Sequence, residues 1–196
     1  MSAIPYTVER RPDTGVNNVQ LGIWLFLASE VMLFGGLFSA YFTLRAGAPQ
    51  PWAPLSAHMD AALVSTVLLF GATGAFAMTL RSARAARLPA FRVWIGAAML
   101  LGLLFVAYKG RQYLDLWEGH FYASTSTQWA TYYLLTGVHG LHVLGGVLVN
   151  AWLLATSSRA WTTSSARIVN RVEAVALYWY FVDLVWVLLF VLLYVV

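Results

Sequence analysis

The segment TGVHGLHVLGG, residues 136 to 146, places two histidines three positions apart in a stretch with no Asp, Glu, Lys or Arg between Glu118 and Arg159. Two carboxyls have comparable settings, Glu30 in FLASEVMLFGG and Asp183 in YWYFVDLVW. Imidazole and carboxyl can pass protons, bind metals or tie helices together by hydrogen bonds. An ionisable group at mid-bilayer costs roughly 2.5–3.5 kcal/mol on insertion scales, so it normally faces protein or water and has a partner.

Three chemistries follow for Glu30, His139, His142 and Asp183. The simplest is structural, a neutral carboxyl or imidazole donating across the bundle at about 0.6 kcal/mol per bond. The second is proton handling or gating. The third, a metal or heme centre, is poorly supported. A di-iron bundle wants Glu and Glu-x-x-His motifs on paired helices, which the chain lacks, and His58 and His120 fall in or beside loops. With no cysteine, a thiolate site is also excluded. The expectation is no catalytic residue and no metal ligand set in this chain.

The elements that position these groups follow from composition. The 196 residues are 60% hydrophobic and 10% charged, against about 45–50% and about a quarter in soluble domains. Five stretches reach the roughly 20 apolar residues a spanning helix needs, at about 19–44, 60–80, 92–114, 129–156 and 172–196. The expected fold is all-α, one integral membrane five-helix transmembrane bundle over 19–196, preceded by a tail of low order at 1–18. The net charge of +4 belongs to arginines between the spans, not to a basic run interleaved with aromatics, so nucleic acid is not expected.

Orientation follows from the enrichment of Lys and Arg in cytoplasmic loops. With the N-terminus cytoplasmic, nine basic residues lie inside (Arg10, Arg11, Arg81, Arg84, Arg87, Arg92, Arg159, Arg167 and Arg171) and three outside (Arg45, Lys109 and Arg111). The C-terminus is then on the outer face, and every Arg and Lys is expected near a helix end or in a loop. At about 1.5 Å per residue, Glu30, Asp183, His139 and His142 should share one layer near the midplane. Tyr132, Thr136, His139, Gly146 and Asn150 recur at three- and four-residue spacing along one face of the fourth helix. Gly35, Gly36, Ser39, Ala40, Gly71, Gly74, Gly137 and Gly140 are expected to let backbones approach closely. Trp94, Trp117, Trp129, Trp161 and Tyr194 are expected as headgroup-level anchors, and Trp179, Tyr180 and Trp186 as a packed face around Asp183.

Three segments together resemble one family, subunit III of the heme-copper terminal oxidases, the cytochrome c oxidase group. FLASEVMLFGGLFSAYF (26–42) is similar to its Ser-Glu-x-Met-x-Phe helix with an embedded glutamate. TGVHGLHVLGG resembles its Thr-Gly-x-His-Gly-x-His-Val signature, and VEAVALYWYFVDLVWVLLFVLLY (172–194) resembles its C-terminal helix. Tyr180 stands where the family usually has histidine, and Gln112 in YKGRQY where many members have glutamate. The chain opens at what looks like the third helix of the seven-helix form; short bacterial members are similar, and in some oxidases of this group the missing pair is fused to the catalytic subunit.

The resemblance implies a redox-inactive core subunit of a respiratory oxidase in the bacterial cytoplasmic (inner) membrane. Its partners would be the heme-copper catalytic subunit I, other oxidase subunits and membrane phospholipids, with heme and copper held by the catalytic subunit. It would bind phospholipid and support proton uptake and stability during oxygen reduction. The site residues carried over are Glu30, His139, His142 and Asp183 in the buried polar layer, and Glu173, Trp179, Tyr180, Trp186 and Arg159 in packing or lipid contacts. Two alternatives stand beside it: a subunit III-like accessory protein of nitric oxide reductase, and a proton-coupled transporter. The odd helix number and the absence of paired broken segments argue against the transporter.

Overall fold

The structure is a computed structural model that describes residues 15–52, 55, 58–163 and 165–195; the side chains of residues 159, 160, 162, 163 and 165 fall outside that description. Most of the expected N-terminal tail, including Arg10 and Arg11, and the side chain of Arg159 therefore lie outside the described residues. The described residues form five helices: α1 (Asn18–Ala46), α2 (Met59–Arg84), α3 (Leu88–Glu118), α4 (Thr127–Thr163) and α5 (Ser165–Phe190), the last closing in a wider π turn at Val191–Val195. All five are long and apolar enough to cross a membrane.

Local sequence explains where the helices start and stop. Asn17 caps α1, its Oδ1 accepting from Gln20 N at 2.9 Å while its own N–H donates to Gln20 Oε1 at 3.3 Å. Its Nδ2 also donates to Asn170 Oδ1 at 2.8 Å, tying the start of α1 to α5. Pro89 sits in the first turn of α3, where its missing N–H has no helical partner. Both α2 and α3 end in left-handed residues that are not glycine, Ala86 (φ 53°) and His120 (φ 62°). In each, the next N–H reaches back to a free carbonyl, Arg87 N to Ser82 O and Phe121 N to Leu116 O, which is how such ends are closed.

α2, α3, α4 and α5 form a ring, α2 against α3 and α5 and α4 against the same two, and α1 lies outside it on α5 and α4. The ring is filled by aromatic and branched side chains, with Trp179, Trp186, Phe105, Ile95, Leu135 and Leu189 fully buried. Phe105 stands edge-on to Trp186 with centroids 5.1 Å apart. Trp186 Nε1 donates to Thr66 Oγ1 on α2 at 2.9 Å, the type of interhelical bond that glues helices where lipid is as apolar as leucine. The π turn frees carbonyls for α1 and its loop: Tyr41 Oη donates to Leu192 O at 2.7 Å and Leu55 N to Leu193 O at 3.0 Å.

Close approach is carried by glycines other than those expected. A Cβ on Gly35, Gly36, Gly74 or Gly140 would meet nothing within 4 Å, and one on Gly71 or Gly137 only an ordinary contact. At Gly102 a Cβ would lie 2.8 Å from Val147 Cγ2 and 3.3 Å from Trp179, and at Gly146 it would lie 3.0 Å from Trp179. The two glycines make room for one large indole. Small size alone does not mark an interface, because the facing side chain decides how much room is required.

Candidate functional site

The polar face of α4 points into the ring. Tyr132, Thr136, His139 and Asn150 are all buried, because three- and four-residue spacing puts them on the side that α3 and α5 cover. His142, three residues beyond His139, is turned toward α1. The two histidines therefore have separate environments.

His142 Nε2 lies 2.9 Å from Glu30 Oε2. Its Nδ1 lies 2.7 Å from the carbonyl of Val138, one turn back on α4. A carbonyl only accepts, so Nδ1 carries a hydrogen, and a single proton remains to be shared between Nε2 and the Glu30 carboxyl. Phe34 packs edge-on against the imidazole at 5.0 Å, and Tyr178 Oη donates to His142 O at 2.7 Å. Residues from α1, α4 and α5 thus enclose the pair.

His139 is fully buried and neither ring nitrogen has a partner. It is held by ring contacts, edge-on to Phe105 at 5.7 Å and tilted over Trp186 at 5.3 Å. Asp183 is placed elsewhere again, toward α2, where its carboxyl has the buried hydroxyl of Thr73 as its hydrogen-bonding neighbour. The four groups do not form one cluster. They make one bonded pair, one packed imidazole and one carboxyl set beside a threonine hydroxyl.

A fifth group was hidden from sequence reasoning. Lys109 is only 5% exposed inside α3. Its Nζ donates to Gln112 Oε1 at 2.9 Å and Tyr194 Oη at 3.1 Å, and lies 4.8 Å from the centroid of Trp186. Gln112 is held in turn by donating to Ala61 O at 3.0 Å on α2. Lys109 is thus not at a helix end: α3 continues to Glu118, placing it about 13 Å from that end. The apolar residues Leu114, Leu116 and Trp117 after it were the available signal. Tyr194 is likewise no headgroup anchor, since it is buried and bonded to Lys109 and to Tyr132 at 3.1 Å.

The remaining expected residues separate by location. Trp179 is fully buried with Nε1 3.4 Å from Asn150 Oδ1, and Trp186 is fully buried beside it along α5. Tyr180 is half exposed. Glu173 accepts from Arg84 Nη2 at 2.8 Å and Nε at 3.2 Å, both on Oε1. Among the described residues no three His, Asp or Glu side chains gather as metal ligands.

The arrangement of embedded polar groups on five spans can be set against known proteins. The family model for cytochrome c oxidase subunit III matches residues 11–196. The chain belongs to the cytochrome c oxidase subunit III family. It is 35% identical over 179 residues to a probable cytochrome c oxidase subunit 3 of Mycobacterium leprae, covering 91% of this chain and 88% of that one. It is 31% identical over 182 residues to cytochrome c oxidase subunit 3 of Corynebacterium diphtheriae, covering 91% and 88%. It is 30% identical over 186 residues to subunit 3 of a cytochrome bo(3) ubiquinol oxidase of Pseudomonas aeruginosa, covering 93% and 86%. As a subunit III of the heme-copper oxidases, the chain is similar in sequence to members named for either cytochrome c or ubiquinol.

Proposed function

We propose that this chain is a redox-inactive core subunit that packs on the heme-copper catalytic subunit, holds phospholipid at its edge, and supports proton uptake and durability of that subunit during oxygen reduction. Heme and copper belong to the partner on this reading. The observation that carries it is the Glu30–His142 pair at 2.9 Å with Nδ1 committed to Val138 O. It is a carboxyl–imidazole pair that shares one proton inside the membrane.

Two further features support the reading. Among the described residues α1 packs against α5 and, less extensively, α4, and Met32, Leu25 and Val31 on it are 82%, 65% and 59% exposed, a face suited to another subunit's helices. Arg84, Arg87 and Arg92 stand at one end of the bundle in exposed positions, where guanidinium groups suit lipid phosphate. With the arginine bias that end is cytoplasmic, in the inner membrane of a bacterium like those of its relatives.

The test is Glu30→Gln in the purified oxidase. Normal subunit content with altered proton uptake or a shorter catalytic lifetime supports the reading. Normal content with unchanged uptake and lifetime removes the proton role.

A further inference from the structure

Lys109 is surrounded by neutral groups. Its Nζ donates to Gln112 Oε1 at 2.9 Å and to Tyr194 Oη at 3.1 Å, and lies 4.8, 5.6 and 5.8 Å from the ring centroids of Trp186, Tyr194 and Tyr132. Among the described residues no carboxylate pairs with it. A charge taken out of water without a counter-charge is costly, and two neutral acceptors and three aromatic faces offset part of that cost. The same surroundings accept the neutral amine, which needs no counter-charge, so the site can hold Lys109 in either form.

The titratable groups on the surrounding elements are committed elsewhere or lie far off. On α3, Asp115 is paired with Arg111 at 3.0 Å and Tyr113 is bonded to Thr136 at 2.7 Å. On α4, His139 lies over the Trp186 ring and Tyr133 donates to Phe121 O. On α2, Asp60 is in the first turn and Arg81 and Arg84 are in the last. On α5, Asp183 is about 16 Å along the helix from Tyr194. In the α3–α4 connection, His120 is bonded to Tyr122.

Two of the groups around Lys109 also line a cavity. It has a volume of about 130 Å³ and is bounded by His58, Ala61, Gln112, Asp115, Phe121 and Tyr132. His58 is exposed and the Asp115 side chain is 54% accessible, so the mouth lies at the end of the bundle where α2 begins and α3 stops. A space of that size has room for several waters, and His58, Asp115 and Gln112 offer them polar partners. From Tyr132 a run of hydrogen bonds leads inward, Tyr132 Oη to Tyr194 Oη at 3.1 Å and Tyr194 Oη to Lys109 Nζ at 3.1 Å. An ammonium only donates, so the Tyr194 oxygen accepts from Lys109, which lets the Tyr194 hydrogen go to Tyr132 and the Tyr132 hydrogen to the cavity. All three residues are buried. The hydroxyls therefore cross the closed interior with no water between them.

We infer that Lys109 is a proton-exchange site, loaded and unloaded through Tyr194 and Tyr132 from water in the cavity beside His58 and Asp115. In unloading, each hydrogen moves one place: from the ammonium to the Tyr194 oxygen, from Tyr194 to the Tyr132 oxygen, and from Tyr132 to a water. The amine keeps the electron pair of the broken N–H bond, both tyrosines end neutral, and the water becomes hydronium. Loading is the reverse. The site stands apart from the Glu30–His142 pair and does not need the role given to that pair.

The experiment is nitrogen-15 NMR of the intact purified complex carrying labelled lysine, with the spectrum of Lys109→Met subtracted to isolate the one lysine of this chain. The Lys109 signal should move from the ammonium to the amine position as pH is raised over the range in which the complex stays assembled. Its hydrogens should exchange within minutes of transfer to D2O. Tyr132→Phe, which keeps the ring and the Lys109–Tyr194 bond but removes the relay, should slow that exchange several-fold. Ala61→Leu, which fills the cavity without touching the hydroxyls, should slow it as well. A signal that neither moves with pH nor exchanges would overturn the proton site. Exchange at the wild-type rate in Tyr132→Phe would overturn the relay, and the same result in Ala61→Leu would overturn the cavity as its source. Should Tyr132→Phe fail to assemble, Ala61→Leu decides the route alone.

Discussion

Glu30 on α1 and His142 on α4 meet at 2.9 Å while the other nitrogen of the same imidazole is fixed on Val138 O at 2.7 Å. The second contact gives the first its meaning, because it leaves one proton for the pair. Glu30→Gln keeps a side-chain donor for Nε2, so subunit content should stay near wild type. Glu30→Ala leaves Nε2 without a partner and should weaken assembly by about 1–3 kcal/mol, read as subunit loss during detergent washing. Equal retention of both variants would remove the buried role of the pair.

His139 and His142 should respond oppositely to phenylalanine. His139 makes ring contacts and no hydrogen bond, so His139→Phe should change stability by less than about 1.5 kcal/mol. His142→Phe leaves the Glu30 carboxyl without its partner and should cost about 1–3 kcal/mol. Thermal unfolding of the two purified complexes compares them directly, and a larger loss for His139→Phe would point to an unseen partner for that ring.

Lys109 is the only lysine in the chain. Held by Gln112, Tyr194 and the Trp186 face, it should resist an amine-reactive reagent in the native complex and react after denaturation in detergent. Lys109→Met leaves Gln112 Oε1 without its donor and should cost about 1–3 kcal/mol. Rapid labelling of the native protein would show that the aromatic cage opens.

Gly102→Ala drives a Cβ toward Val147 and Trp179 and should destabilise by about 1–3 kcal/mol through overpacking. Gly140→Ala, which meets nothing within 4 Å, should not destabilise the bundle. Melting temperatures of the pair test whether the indole of Trp179 sets the spacing of α3, α4 and α5.

The nine-to-three arginine and lysine bias can be tested because the native chain has no cysteine. Ser82 is buried, so the exposed neighbour Ala85 is the better reporter. Ala85→Cys should resist a membrane-impermeant thiol reagent in intact cells, whereas Ser124→Cys should react. The reverse pattern would invert the bundle in the membrane.

The number of helices, their membrane character and the buried face of α4 could be read from the chain alone, because each depends on local hydropathy and on the 3.6-residue period. The family was legible for a related reason: the segments around Glu30, His139 and Asp183 keep unusual polar residues at fixed positions within apolar runs. Depth along a helix was legible too, but direction around the bundle was not. Glu30, His139, His142 and Asp183 could be assigned to one layer, yet which of them touch depends on how α1, α4 and α5 are rotated, and that is set by the packing of all five helices. Only the tertiary structure placed His142 on Glu30, His139 on Trp186 and Asp183 beside Thr73. Lys109 shows the same limit: its burial follows from the length of α3 and from aromatic side chains on α4 and α5, none of them its sequence neighbours.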